Sequence, residues 1–293
     1  ISLKKEGWNL EKPEVLALME KLRSSGIPLG EYVQGRFYYG IKTGFNKAFV
    51  IDAATREKLI AEDPNSAELI KPWLRGRDIQ KWKVEWAGLY LINIPSSANR
   101  QWPWSNAKSE SEAARLFEQT YPAIFRHLSR SKEQLQKRDD QGKFWWELRS
   151  CVYYDAFECP KIVYPNITKT NVFAFDTTGI LTNQKCFIIP VDDLYLLTVL
   201  NSKMATRWFR STLPLLRGGF FEPSAIFMEK FPVFPSTDAQ KAPIIERTRT
   251  ILADPDSPDI PRLEAEINNL VYKLYDLTPE EIKIVEGENE NAV

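Results

Sequence analysis

Residues 35–52, GRFYYGIKTGFNKAFVID, constrain the chain most, because two strand-forming runs flank a glycine-containing turn. Phe37, Tyr38 and Tyr39 precede the turn, and Ala48, Phe49, Val50 and Ile51 follow it. Gly44 can take a positive φ without a Cβ clash, and Asn46 tolerates that region better than most residues. The pattern predicts a hairpin: strand, turn, strand. Its turn carries Lys42, Thr43, Asn46 and Lys47. Lysine neutralises phosphate, and Thr or Asn can bond phosphate oxygens or base edges. A solvated hairpin loop of ordinary kind has the same composition, so the rest of the chain must decide between the two.

At 293 residues and 43% hydrophobic content, the chain can bury one large core or two small ones. The formal charge is zero, but its distribution is uneven. Residues 36–83 hold ten Lys/Arg against six Asp/Glu, and residues 126–149 hold seven against four. From Asp276 to the end the count is one against six. Two basic segments balanced by an acidic tail suit a protein with one polyanion-facing side, although solvated faces also produce such asymmetry. Cys151, Cys159 and Cys186 are odd in number and fit no zinc spacing, and His127 is the single histidine. Reduced thiols, a cytoplasmic setting and no obligate metal are expected. No apolar run approaches 18 residues and no signal peptide is present, so no membrane anchor is expected. The chain opens at Ile1 inside a charged run and is expected to be a piece of a longer protein.

In chain order, residues 12–25 predict an amphipathic helix with Val15, Leu18, Met19 and Leu22 on one face. Asp52 reads as the N-cap of a helix that Pro64 stops, and SAELIKPWL continues with further helical turns. Gly76 then stands between Arg75 and Arg77. That loop either presents two guanidinium groups to phosphate or guanine, or is closed by an Arg–Asp pair. Residues 81–94 read as two strands around a turn at Ala87-Gly88, with Lys81 at their start. Trp102 and Trp104 flank a proline and read as core plugs. Residues 109–138 are helical, divided at Pro122. A polar loop with Lys137, Arg138 and Lys143 then runs into Trp145, Trp146 and Arg149. Basic residues beside paired tryptophans combine phosphate contact with stacking surfaces; the alternative is that Trp146 and Leu148 anchor the core. His127 has no Ser, Cys or Asp placed to complete a triad, so a structural role is expected.

Residues 161–190 read as strands, with residues 176–179 supplying a hairpin turn. Asn183 and Gln184 interrupt the apolar alternation; both suit adenine readout and both suit a strand edge. A helix follows from Asp193, then a loop with Arg217, Gly218 and Gly219, then a short strand at MEKFPVFP. Two amphipathic helices joined by DPDSPD follow, one carrying Leu263, Ile267, Leu270 and Leu274 as a stripe. Thr278-Pro279-Glu280-Glu281 starts a last helical turn.

The phrases GIKTGFNKAFVID, IKPWLRGRDIQKW, KFWWELR, PKIVYPNI and LVYKLYDLTPEEI, in this order and spacing, resemble the C-terminal target-recognition domain of TaqI-like adenine-specific DNA methyltransferases. The same domain occurs in fused restriction-modification enzymes of the Eco57I kind. The resemblance covers roughly residues 27–285. It implies a domain that follows a Rossmann-like methyltransferase domain, forms one wall of a DNA cleft and reads bases chiefly from the major groove. The parent protein would use S-adenosylmethionine in that upstream domain. The enzyme half has no counterpart here. No Asn-Pro-Pro-aromatic motif occurs, YPNIT and INIPS being the nearest strings, and no Gly-rich strand-to-helix turn or nuclease metal pair is found.

The expected fold is α+β, with twisted, mostly antiparallel sheets flanked by helices and a C-terminal helical subdomain. Expected divisions are an N-terminal linking helix at 1–26, a DNA target-recognition core at 27–236, a helical piece at 237–286 and a disordered tail at 287–293. The expected partners are double-stranded DNA and the upstream methyltransferase domain. The expected DNA-contacting residues are Lys42, Thr43, Asn46, Lys47, Arg75, Arg77, Lys81, Lys137, Arg138, Lys143, Arg149 and Arg217, with no catalytic residue. The alternative is a protein-interaction or scaffold module, for which an exposed tryptophan face without basic neighbours would speak. A stand-alone hydrolase lacks any complete catalytic set.

Overall fold

Two strands divide their side chains between two cores. In Lys161–Pro165, Ile162 and Tyr164 enter one core and Val163 the other; in Cys186–Ile189, Phe187 and Ile189 join the first while Cys186 and Ile188 join the second. Successive strand residues leave opposite faces, so a sheet covered on both sides needs an unbroken apolar run. KIVYP and CFII supply those runs. The two strands pair antiparallel with Tyr164 opposite Phe187; Phe187 stacks on Tyr164 at 5.2 Å and meets Tyr39 on its other neighbouring strand at 4.5 Å with a 41° tilt. They form the centre of an antiparallel sheet ordered Tyr38–Tyr39, Cys186–Ile189, Lys161–Pro165, Ala174–Asp176.

This computed structural model describes residues 12–287, with the backbone of a small pair, Leu3–Lys4 and Gly7–Trp8. The expected tail lies outside the described residues beyond Gly287. A second sheet, ordered Leu181–Thr182, Ile70–Leu74, Tyr90–Ile92, Val50–Ile51, has one parallel pair at its first edge and antiparallel pairs elsewhere. Helices Ala53–Glu62, Glu110–Thr120, Pro122–Ser129 and Lys132–Gln136 pack around it in the second core. The first core gathers Pro13–Ser25, Leu194–Leu200, Lys203–Thr212 and the C-terminal helices Asp238–Ala253, Ile260–Leu274 and Pro279–Glu286. The architecture is thus α+β, mostly antiparallel, with a helical C-terminal piece. Local signals set many boundaries. Asp52 accepts from the Thr55 amide at 2.8 Å, Pro122 sits at the start of its helix, and Thr278 and Glu281 form a capping box.

The opening hairpin does not form. Tyr38–Tyr39 pairs with Cys186–Ile189, whereas Val50–Ile51 pairs with Tyr90–Ile92. The two runs belong to different sheets because each finds its apolar partners far away in sequence: Tyr39 lies on Phe187, and Phe49 is fully buried in the second core. The segment between is a crossover, ending in the one-turn helix Asn46–Phe49. Gly40 is required at the crossing. Its amide donates to the Cys186 carbonyl at 2.9 Å, and a Cβ there would lie 1.9 Å from the Asn183 carbonyl oxygen.

Three further expectations are corrected. SAELIKPWL is helical only over Ser66–Leu69 and turns into the strand Ile70–Leu74. In residues 81–94 only Tyr90–Ile92 is a strand; Trp82 and Val84 make isolated bridges to Ala174 and Ile79. Residues 176–179 join no hairpin, since Ala174–Asp176 pairs with Lys161–Pro165 and Leu181–Thr182 with Ile70–Leu74. In the first and third cases a partner distant in sequence outcompetes the local one, as tertiary burial commonly does, whereas Val84 folds back onto nearby Ile79.

Candidate nucleic-acid interface

A buried arginine holds the two basic segments together. Arg138 donates to the carbonyls of Leu135, Thr43, Asp140, Trp145 and Glu147, and its guanidinium lies 4.7 Å over the Phe49 ring. Guanidinium offers five N–H groups in a fixed fork, which suits a cluster of carbonyls from several segments. Burial pushes its pKa down to about 10, with Asp140 acting the other way, so it stays charged at neutral pH. Gly44, at φ +67, packs against this side chain, with its would-be Cβ 3.1 Å from Arg138 Cδ. Glu147 is equally buried. It accepts from the Ser97, Lys143 and Phe144 amides, the Ser97 hydroxyl and the Trp104 indole, which ties the 95–105 loop to the tryptophan pair. Trp145 and Trp146 are core residues, not stacking surfaces, and Trp102 and Trp104 are buried as expected.

The bond between Arg138 and Thr43 carries Lys42 to the end of the second basic segment. Lys42 Nζ lies 2.9 Å from one oxygen of Asp140, and Arg149 Nη1 lies 3.4 Å from the other. Both cations stay about half exposed. They border a groove of about 740 Å³ whose further walls are residues 150–154 and the turn around Asn166, Gln184 and Lys185. Tyr39, 54% exposed, and Val152, 94% exposed, present apolar surface there. Tyr153 stacks on Tyr38 at 4.5 Å and fixes the 150–154 wall to the sheet. Asn183 accepts from the Lys185 amide at 2.8 Å and so shapes the turn that exposes Gln184 and Lys185.

The other expected contacts divide into three groups. Arg77, Lys47 and Arg217 are exposed and have no ion-pair partner among the described residues. The Gly76 loop abuts the groove, since a Cβ on Gly76 would lie 3.1 Å from the Lys185 carbonyl. Arg217 tops the hairpin Leu215–Leu216 with Phe220–Phe221, which pairs onward to Thr168 beside Asn166. Lys143 is exposed but reaches the Ser105 carbonyl at 2.7 Å, and Asn46 accepts from the buried Thr43 hydroxyl at 2.6 Å. A third group is turned to structural work. Arg75 grips Asp78 with three donors and closes its own loop. Burial works against ionisation of Asp78, but the Arg75 bonds prevail and hold its carboxyl below the ordinary range. Lys81 pairs with Glu264 at 2.7 Å on the C-terminal helices, and Lys137 with Glu133 at 2.6 Å. Thr43 and Arg138 are buried.

Tyr39, Asn166 and Lys185 were not foreseen as site residues. For Lys185 the signal was present, because Asn183-Gln184-Lys185 is the polar break in an otherwise apolar run. His127 is structural, with Nε2 3.0 Å from the Ala48 carbonyl. Among the described residues no helix is long and apolar enough to cross a membrane, and no cluster of three metal-ligating side chains occurs. The three cysteines are free thiols, and burial pushes those of Cys151 and Cys186 up.

A family model for the TaqI-like C-terminal specificity domain matches residues 71–233. The chain belongs to that family. The matched stretch of the specificity domain includes Arg149, Asn166, Lys185 and Arg217, whereas Lys42 precedes it. Among solved structures it is similar to the type IIL restriction-modification enzyme MmeI, solved in complex with DNA. The TM-score is 0.60 and the identity 14%, over 87% of this chain and 34% of that one. It is also similar to the type IIG restriction endonuclease BpuSI, with TM-score 0.51 and identity 14%, over 96% of this chain and 33% of that one. At this identity the likeness concerns the fold. The specificity domain thus spans about a third of each of these chains. No curated protein sequence matches it.

Proposed function

We propose that this specificity domain reads duplex DNA for a restriction-modification enzyme. Its parent would be an adenine-N6 DNA methyltransferase, working in the cytoplasm and carrying a methyltransferase domain upstream. The observation that carries the reading is the meeting of Lys42, Arg149 and Lys185 at one groove, from three segments far apart in sequence. Cations gathered along one concave surface neutralise phosphates and fix register, while Gln184 and Asn166 supply donors and acceptors for base edges. Arg77 and Arg217 extend the cationic surface on neighbouring loops. Support also comes from the similarity to restriction-modification enzymes, one of them solved with DNA.

S-adenosylmethionine would be held by the upstream domain, and methyl transfer would occur there on an extruded adenine. This chain's part is to bind and orient the duplex. An exposed tryptophan face without basic neighbours would favour the scaffold alternative. Among residues 12–287 only Trp86 is an exposed tryptophan, and it donates to the Leu89 carbonyl. Binding of duplex DNA by this chain across a salt series tests the proposal: log affinity should fall linearly with log salt. A response flat in salt refutes phosphate contact.

A further inference from the structure

Resting on that reading, we infer that the groove between Tyr39 and Arg149 is a pocket for a single unpaired nucleotide, with Tyr39 as its stacking platform. One side of the Tyr39 ring is covered by Phe187, at 4.5 Å and 41°. Tyr39 nevertheless remains 54% exposed and lines the groove. An aromatic ring braced on one face and open on the other is what a nucleobase stacks on. In a paired duplex each base face is already covered by its neighbours, so such a platform has nothing to offer it.

The polar groups around the ring complete the match. Gln184 is exposed with its carboxamide uncommitted among the described residues, and can meet the pairing edge of a base that has lost its partner. Lys42 and Arg149 stand at the rim, where the phosphate of the same nucleotide would lie. Asp140 lies between the two cations and is, among the described residues, the one acid bonded to them. The volume, about 740 Å³, falls in the range of small-molecule pockets and is ample for one nucleotide.

The test compares three fluorescent probes of one sequence on the 293-residue chain: a paired duplex, the same duplex with one bulged nucleotide, and the single strand. The bulged duplex should bind about tenfold more tightly than the paired one, as one base–aromatic stack contributes. Tyr39→Leu keeps apolar bulk on Phe187 but removes the π face, and should bring the ratio close to one. Tyr39→Trp should retain it, and circular dichroism verifies that both variants fold. If the unaltered chain binds both duplexes equally, or if Tyr39→Leu leaves the preference intact, the nucleotide pocket is overturned and duplex contact stands. If none of the probes binds in a salt-dependent way, the pocket and the DNA-reading function fall together.

Discussion

The guanidinium of Arg138 donates to the backbone carbonyl of Thr43, which lies 95 positions earlier. That bond makes one wall of two segments. It also explains why a side chain expected at a DNA surface is buried. Arg138 is the internal strut that brings Lys42 and Arg149 to the same carboxylate. Replacing it with Gln would leave buried carbonyls from several segments without donors. Arg138→Gln should therefore destabilise the fold by roughly 3 kcal/mol, the upper end of the cost of unsatisfied buried groups. Urea unfolding measures it. Arg138→Lys should recover only part of the loss, because an ammonium cannot fork to the same carbonyls.

The cations fall into groups that mutagenesis can separate. Lys42→Ala and Arg149→Ala should each weaken binding to all duplexes alike and reduce the salt slope by about one. Lys81→Ala and Lys137→Ala should leave affinity within about twofold, since those side chains are engaged by Glu264 and Glu133 away from the groove. Fluorescence anisotropy across a salt series gives both quantities. Equal losses in all four variants would mean that the groove is not the contact surface.

Asp140 bridges Lys42 and Arg149, so under the proposed function it competes with a phosphate for both cations. Asp140→Asn removes the competing charge and keeps the shape. Duplex affinity should rise by about three- to tenfold at low salt, with stability changed by less than about 1 kcal/mol. Anisotropy titration at two salt concentrations checks this, and a loss of affinity would assign Asp140 a positioning role instead.

His127 gives a pH dependence with a definite sign. Burial lowers its pKa, the bond to the Ala48 carbonyl acts against that, and Arg130 lowers it further. The folded state thus binds the proton less readily than the unfolded chain. Its contribution is present above the unfolded pKa of about 6.5 and is lost as pH falls through the folded value. Urea midpoints should drop between about pH 7.5 and pH 5.5, and His127→Gln should flatten that part of the profile.

Much of the local structure was legible in the residues. Pro13, Pro122 and Thr278 announced helix starts, Asp52 announced a cap, and the apolar runs KIVYP and CFII announced strands, though not that their sheet is buried on both faces. These signals act within a turn or two of the chain, so one sequence displays them. The family was legible too, because several phrases kept their order and spacing. What misled was pairing. FYYG and AFVID looked like two arms of one hairpin, yet each found better apolar contacts in a separate core.

The sequence by itself determined most helix starts and caps, the apolar strands at 161–165 and 186–189, and the family to which the chain belongs. Only the tertiary structure decided which cations serve the surface. Lys42 and Arg138 stand in similar basic loops, but one rests at a groove rim while the other is buried among carbonyls. A charge's role depends on the groups within a few ångströms, and here those groups come from segments that meet only when the cores close.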